Sequence, residues 1–318
     1  VTENSCGYQV RYIRLLSKFV TAGMDCHGEV NGGAFIDSCG VCAGGSTGII
    51  PSLDPGQCNG SPAPPKGDTM YVEGRYLYAS EGEKVILRGV NEMFVWSDDP
   101  DGSRLLPEIA KTGANCVRLV WTAEAGNEST LVELMERCIA HKMIAMPECH
   151  SATGDWSNLG TCVSFWKHPA LLEGIQRNRT WTLLNIGNEV GDGSVTGEQF
   201  KTGYMDAVDS LREWGYTVPL VIDASNWGQD VDMIFATWKE ILEHDPLHNI
   251  LFSVHSYWPD THNYNRVATE SVNGGLPVII GEGPSPTKYP DCTILDYGTG
   301  LEVTGTNEIG WLSWSWGG

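Results

Sequence analysis

The 318-residue sequence has few basic side chains and no long apolar run. It carries 20 Lys and Arg against 40 Asp and Glu, so its formal net charge is −20. Such an acidic chain repels phosphate, which argues against nucleic acid as a partner, whereas a neutral substrate feels no repulsion. No stretch approaches the roughly eighteen consecutive apolar residues of a membrane-spanning helix, so no membrane partner is expected. Hydrophobic residues make up 41% of the chain, which is enough for a globular core.

A clean leader peptide is also missing. Residues 1–23 contain three basic side chains among scattered apolar residues and no continuous apolar core. Ten cysteines are present, five of them before residue 60, and the later five show no zinc-ligand spacing. Because disulfides form and persist in oxidising compartments, this cysteine content predicts a secreted, extracellular protein.

Residues 1–67 predict a small irregular segment, rich in Cys and Gly, that ends in a Pro-rich linker. Part of it resembles the acidic calcium-binding repeats of the thrombospondin type 3 kind, in which oxygen ligands alternate along the chain. That resemblance implies a structural calcium ion held by Asp25, Asn31 and Asp37. A disulfide-pinned linker without metal is the alternative interpretation. Residues 68–318 form the second predicted domain.

In this second domain, short apolar strands alternate with amphipathic stretches, of which 131–141, 200–214 and 233–244 are predicted helices. The predicted strands span 85–91, 116–121, 144–150, 181–189, 219–223, 250–257, 277–282 and 310–316. Eight such units predict an α/β fold, a (β/α)8 TIM barrel with parallel strands. No helical stretch follows the eighth strand, so we expect the last helix to be missing. The barrel is then open on one side, or the chain is a piece of a longer protein.

Two carboxylates stand at strand ends, where the functional residues of such barrels gather. Glu189 ends the fourth predicted strand and Glu282 ends the seventh, each after an apolar run. A pair of carboxylates at this place is the machinery of glycoside hydrolysis, about 5–5.5 Å apart in retaining enzymes and about 6.5–9.5 Å apart in inverting ones. Glu189 has to be protonated at rest, so we expect it in drier or more acidic surroundings than Glu282. A structural ion pair is the alternative for either residue.

Other strand ends supply partners for this pair. Arg118 and Tyr257 are expected to hold Glu282 ionised, because a nearby cation lowers the pKa of a carboxyl group. His150 and His255 are expected to position the carboxylates, with an ordinary structural histidine as the alternative for each.

The sugar itself needs polar and flat contacts. Asn188, next to the fourth-strand glutamate, is expected to donate to the sugar 2-hydroxyl. Of the two tryptophans Trp314 and Trp316, we expect one at the barrel mouth as a stacking platform and the other in the core. Trp314 is the expected platform.

These residues together resemble the motifs of glycoside hydrolase family 5, in clan A. The family has an Arg after strand two, a His after strand three, an Asn-Glu pair after strand four, a His-x-Tyr on strand six, a Glu after strand seven and a Trp on strand eight. The matching residues are Arg118, His150, Asn188, Glu189, His255, Tyr257, Glu282 and Trp314. The resemblance spans about residues 70–318 and implies Glu189 as the acid/base and Glu282 as the nucleophile.

Within that family, the runs 150–154, 185–189 and 221–230 are most similar to the bacterial β-mannanase branch. This implies an enzyme that cleaves β-1,4-mannan, glucomannan or galactomannan internally by a retaining mechanism. Asn91, after the first strand, and Trp227, in the last of these runs, complete the expected substrate-binding residues.

Two alternatives remain open. An endo-β-1,4-glucanase, or cellulase, would use the same residues and mechanism, since mannose and glucose differ only at the 2-hydroxyl. An inactive carbohydrate-binding barrel is the alternative from another class. The expected partner is a polysaccharide, the expected state a monomer, and no cofactor is expected in catalysis.

Overall fold

The computed structural model describes residues 34–36, 42–44, 67–284 and 295–316. Before residue 67 it describes two short antiparallel strands, β1 (Ala34–Ile36) and β2 (Cys42–Gly44). The expected calcium ligands Asp25, Asn31 and Asp37 lie outside the described residues, as does the Pro-rich linker. The resemblance of this segment to a thrombospondin repeat therefore stays a prediction.

A small antiparallel sheet precedes the main domain. Its strands are β3 (Tyr71–Glu73), β4 (Tyr76–Tyr78) and β5 (Lys84–Val85). Gly74 adopts a φ of +55° in the turn between the first two strands, a conformation that glycine reaches at little cost. Met70 and Leu77 bring apolar side chains from this sheet to the barrel, so the sheet covers one barrel end.

Eight parallel strands then close into a barrel, in which each strand pairs with its neighbour in sequence. The strands are β6 (Arg88–Glu92), β7 (Cys116–Trp121), β8 (Ile144–Cys149), β9 (Leu184–Asn185), β10 (Leu220–Asp223), β11 (Ile250–His255), β12 (Val278–Pro284) and β13 (Gly310–Trp314). The predicted parallel (β/α)8 barrel is confirmed. Because Trp311 of β13 pairs with Arg88 of β6, the sheet is closed and not open on one side.

Helices surround this barrel. They are α1 (Leu105–Ala110), α2 (Glu128–Ala140), α3 (Leu159–Trp166), α4 (Pro169–Arg177), α5 (Gly197–Trp214), α6 (Val231–His244), α7 (His262–Thr269) and α8 (Tyr297–Thr306). No helix among the described residues is long and apolar enough to cross a bilayer. The last described element is β13, which no described helix follows.

The three predicted helices are present, and they begin three, three and two residues earlier than expected. Capping explains two of these starts, because a capping side chain lets the backbone enter the helix before the apolar period becomes visible. Thr196 and Gln199 form a reciprocal capping box before α5. The Asp230 carboxylate accepts the Met233 N–H before α6.

Two predicted strands differ from the structure. The first one divides, since 84–85 pair in the small sheet and only 88–92 enter the barrel. The fourth one is expected over 181–189, but β9 has two residues. Trp181 belongs to a 3-10 turn, and the backbone turns at Glu189, whose φ of +46° is left-handed.

Inside the barrel, alternate strand residues form two layers. The lower layer is one apolar cluster of Met70, Leu77, Leu87, Cys116, Ile144, Met146, Leu183, Val221, Leu251, Ile279 and Leu312. The upper layer lies further along the same strands and is polar, with Asn91, Arg118, Glu148, Asn185, Asp223, Ser253 and His255 all buried. The intervening residues, such as Val117, Ala145 and Phe252, point outward and pack in the larger core beneath the helices.

Candidate active site

The two glutamates meet over the barrel mouth. Glu189 follows β9 and Glu282 lies within β12, and one carboxylate oxygen of each lies within 4.8 Å of the other. This short distance is closer to the separation of about 5–5.5 Å in retaining glycosidases than to the wider one in inverting enzymes. The geometry therefore favours direct attack by one carboxylate, as in retaining enzymes.

Glu282 is held on both oxygens. Arg118 donates from Nη1 to Oε1 at 2.9 Å, and the Tyr257 hydroxyl donates to Oε2 at 2.8 Å. Only 3% of Glu282 is exposed. Burial raises the pKa of Glu282 above its ordinary value, and the nearby Glu189 carboxylate adds to this, while His255, Arg118 and Tyr257 favour the ionised form. The expected partners of this carboxylate are thus in place.

Glu189 sits in a different environment. His255 Nδ1 lies 2.7 Å from its Oε1. Its backbone N–H donates to Asp223 Oδ2 at 3.2 Å, and its carbonyl accepts the Gly154 N–H at 2.8 Å. These two bonds hold the residue in its left-handed conformation, which costs free energy in a non-glycine residue and is often found at functional sites.

The expected contrast in hydration between the two carboxylates is wrong as far as dryness is concerned. Glu189 is 9% exposed and Glu282 is 3% exposed, so the expected acid/base is the wetter residue. The physical reason is position: Glu282 lies within β12, whereas Glu189 stands on the turn beyond β9.

His255 joins the two carboxylates. Its Nδ1 is 2.7 Å from Glu189 and 3.5 Å from Glu282, and its Nε2 is 3.4 Å from Asp223. Burial lowers its pKa, but the carboxylates of Glu282, Asp223 and Glu189 outweigh burial and raise the pKa of His255 to about 9. The ring is therefore cationic at neutral pH, and its Nδ1–H donates to Glu189 and faces Glu282.

Arg118 is the hub of the upper layer. All five of its N–H groups donate, at 2.7 to 3.1 Å, to Asn91, Asn185, Asn188, Asp223 and Glu282. A guanidinium keeps its charge in such a place and matches several acceptors in a fixed geometry. The hub thus ties the ends of β6, β7, β9, β10 and β12 together beneath the mouth.

Three of the expected substrate-binding residues are buried. Asn91 and His255 have no exposed surface, and Arg118 is 1% exposed. The Asn91 side-chain amide donates to the carbonyl groups of Gly281 and Ser313. Arg118 and His255 contact the two glutamates, and substrate binding by these three residues stays a prediction. Asn188, 1% exposed, accepts from Arg118 and donates to Thr153 Oγ1 at 2.9 Å.

Aromatic side chains line the open part of the site. Trp314 is half-buried and stacks on His150, with ring centroids 6.0 Å apart, and Trp96 meets His150 edge-on at 5.5 Å. Trp96 is 59% exposed. Trp316 lies beyond the end of β13 and packs against the core, as expected.

Trp227 is 45% exposed beside the Glu189 turn. Its backbone N–H donates to the Gly191 carbonyl at 3.2 Å. The carbonyl of the next residue, Gly228, accepts the His255 backbone N–H at 2.7 Å. Asn226, Trp227 and Gly228 all have positive φ, so the backbone here is strained in a fixed shape. The structure thus presents an indole beside the Glu189 turn, next to Gly154.

Sequence reasoning missed several residues of this site. Glu148 and Asn185 are buried within the upper layer, and Trp96 stands exposed after β6. A signal existed for the first two, since a polar residue at an inward position of an apolar strand has to find a partner inside. Trp96 gave no such signal, because its exposure depends on the turn that carries it.

One cation question arises here. Within the described ranges, Glu189, His255 and Glu282 form a group close enough to hold a metal ion. The Arg118 guanidinium already contacts the Glu282 carboxylate, and its positive charge repels a metal cation at this place. That catalysis needs no cofactor stays a prediction.

A closed parallel barrel with two facing carboxylates and exposed indoles at its mouth defines the class of this protein as a glycoside hydrolase. The family model described as cellulase (glycosyl hydrolase family 5) matches residues 78–318. The chain belongs to glycosyl hydrolase family 5.

Three similar proteins are mannanases. A mannan endo-1,4-beta-mannosidase of Salipaludibacillus agaradhaerens is 34% identical over 261 residues, which cover 78% of this chain and 82% of that protein. Another, from Cellvibrio japonicus, is 29% identical over 78% of this chain and 59% of its own length. The structure of a beta-mannanase from Streptomyces thermolilacinus with mannohexaose superimposes with a TM-score of 0.71 and 29% identity, covering 79% of this chain and 84% of that one.

Proposed function

We propose that this chain is a retaining endo-β-1,4-mannanase, with Glu282 as the nucleophile and Glu189 as the acid/base. The carboxylate separation at the mouth carries the mechanism, since it suits double displacement. The mannanases that resemble the chain over most of its barrel support mannan as the substrate class.

In the first step, ionised Glu282 attacks the anomeric carbon while protonated Glu189 gives its proton to the leaving glycosidic oxygen. Arg118 and Tyr257 each occupy one lone pair of Glu282 and orient the carboxylate, leaving further lone pairs for attack. The product of this step is a glycosyl ester on Glu282 and a free chain end.

In the second step, Glu189 is a carboxylate and removes a proton from water, which attacks the same carbon and releases Glu282. His255 Nδ1, 2.7 Å from Glu189 Oε1, holds this carboxylate in place for the step. Two inversions leave the product with the configuration of the substrate.

The mouth carries indoles at two places. The platform of Trp314 and Trp96 lies on the side of His150, and Trp227 lies beside the Glu189 turn. Because Glu189 protonates the leaving oxygen, Trp227 stacks on a sugar of the leaving half. Asn188 accepts from Arg118 and donates one amide N–H to Thr153, and its second amide N–H donates to the 2-hydroxyl of the reacting sugar.

The purified chain is tested on mannan, glucomannan and carboxymethylcellulose, with Glu282→Gln as the inactive control. We expect rapid loss of mannan viscosity and, by NMR, β-configured new ends as the first product. First appearance of the α-anomer would contradict the retaining mechanism.

An endo-β-1,4-glucanase is the second candidate, because the matching family is described as cellulase. Faster cleavage of carboxymethylcellulose than of mannan in the same experiment would favour it. An inactive barrel is disfavoured by the contacts of both glutamates, and oligosaccharide binding without any hydrolysis would support it.

We further propose that the protein is secreted and monomeric. The disulfide between Cys149 and Cys162 is consistent with an oxidising compartment. Residues 1–67 are proposed as a separate segment that holds calcium through Asp25, Asn31 and Asp37. Calcium titration by calorimetry tests this, and activity that survives a chelator would show that the ion plays no part in catalysis.

A further inference from the structure

Glu148 is a buried carboxylate that the proposed mechanism does not use. It points into the barrel from β8 and has no exposed surface. Its Oε1 lies 2.7 Å from His150 Nδ1 and 3.8 Å from Arg118 Nη1, while its Oε2 is buried without a hydrogen-bond partner. Burying a charged side chain costs free energy unless the charge is paired. The partners of Glu148 therefore indicate what this residue does.

The main partner, His150, lies directly under the sugar platform. Its ring stacks on Trp314 and meets the edge of Trp96. Because His150 Nδ1 is hydrogen-bonded to Glu148, the other ring nitrogen, Nε2, can bind a ligand. Nε2 makes no hydrogen bond to any residue that the structure describes.

We propose that Glu148 is a positioning residue, which fixes the His150 ring so that Nε2–H donates to a hydroxyl of the sugar stacked on Trp314. This inference rests on the proposed function. Glu148 itself does not touch the substrate and acts through the histidine.

The charges around His150 decide whether Nε2 donates or accepts. Glu148 faces it from β8, Arg118 from β7 and Glu282 from β12. Burial lowers the pKa of His150, but the charge and hydrogen bond of Glu148 outweigh it and raise the pKa above the ordinary value. A doubly protonated ring donates from both nitrogens, whereas a neutral ring that donates from Nδ1 could only accept at Nε2.

Glu148→Gln tests this, because glutamine keeps the length and an acceptor oxygen but loses the charge. We expect kcat/KM on mannan to fall about ten- to a hundredfold, as for a lost hydrogen bond to a charged group, with most of the change in KM. The alkaline limb of the pH profile should move to lower pH, because the pKa of His150 falls.

Glu92→Gln is the matched control. Glu92 on β6 is also buried and also has an oxygen without a hydrogen-bond partner. Among the described contacts, it makes no hydrogen bond or ion pair with His150 or Arg118. We expect this variant to keep the KM and pH profile of the natural sequence.

A double variant separates the action through His150 from an action through Arg118. His150→Asn should lower kcat/KM, and adding Glu148→Gln should lower it no further, since the positioned ring is gone. Independent, multiplying effects of the two substitutions would overturn the proposal.

NMR of the unsubstituted protein gives a test without substrate and without a folding risk. The ring signals of His150 are identified by their loss in His150→Asn. We expect a pKa above the ordinary 6.5 and, at high pH, a proton on Nδ1. A lower pKa, or a proton on Nε2 in the neutral ring, would overturn the inference. If the enzyme proves inactive on mannan, the proposed function fails while this measurement still tests Glu148.

Discussion

The two interior layers of the barrel are built on the same strands and have opposite chemistry. Ile144 and Met146 of β8 lie in the apolar lower layer, and the next inward residue, Glu148, lies in the polar upper layer. Leu251 and His255 of β11 repeat this arrangement. One strand thus stabilises the fold at its start and carries the site at its end.

The lower end of the barrel is sealed as well as apolar. The Asn249 side chain accepts the Val72 N–H and donates to the Met70 carbonyl, so the small sheet is fastened by directional bonds. The upper end is open and keeps its carboxylates within reach of solvent and substrate. Stability and reactivity are thereby placed at different ends, where substitutions should have different effects.

The largest effect is expected at the mouth. Glu282→Gln keeps the shape but removes the nucleophile, so kcat should fall on the order of 10⁴-fold or more. Circular dichroism and thermal unfolding check that the fold is retained. Glu302→Gln, on the exposed face of α8, is the control and should be fully active. Near-normal turnover by the Glu282 variant would disprove its role.

The second-largest effect is expected from a substitution in the polar upper layer. Arg118→Met removes the guanidinium that pairs with the buried Asp223 and Glu282 carboxylates, and this should cost about 3–5 kcal/mol in the free energy of unfolding. Urea unfolding measures it. Arg212→Met is the matched control, because Arg212 pairs with the buried Asp245 away from the mouth. It should be similarly destabilised but keep the kcat of the folded enzyme, whereas Arg118→Met should lose both.

The third effect is expected from a substitution in the apolar lower layer alone. Leu251→Ala removes buried methyl groups and leaves a cavity, which should lower the free energy of unfolding by about 2–5 kcal/mol. The kcat measured well below the melting temperature should stay normal. A large loss of kcat at unchanged stability would show that the two layers do not act separately.

The smallest effect is a difference in pH dependence. The pKa of His255 is raised to about 9 in the fold, so its stabilising contribution is complete below about pH 6.5 and is lost as the pH rises through 9. The free energy of unfolding should therefore fall over this range by on the order of 3 kcal/mol. His255→Asn should flatten this decline, and Leu251→Ala should leave its slope unchanged. An equal slope in His255→Asn would contradict the assignment.

Much of the site was predictable because barrels place strand ends together. Glu189 and Glu282 could be found from apolar strands that end in a carboxylate, and Arg118 and Tyr257 from their family positions. Whether a residue touches sugar was not predictable. Asn91 occupies a strand end like the others, but its side chain turns inward and is covered.

The sequence by itself determined the number of strands, their parallel order and the identity of the two facing glutamates, because hydrophobic periodicity and strand ends are local properties of the chain. Only the tertiary structure decided which five side chains accept the N–H groups of Arg118. It also decided that Glu189 is more exposed than Glu282 and that Glu148 contacts His150. These depend on angles and burial between segments far apart in sequence, and local preferences do not encode such distances.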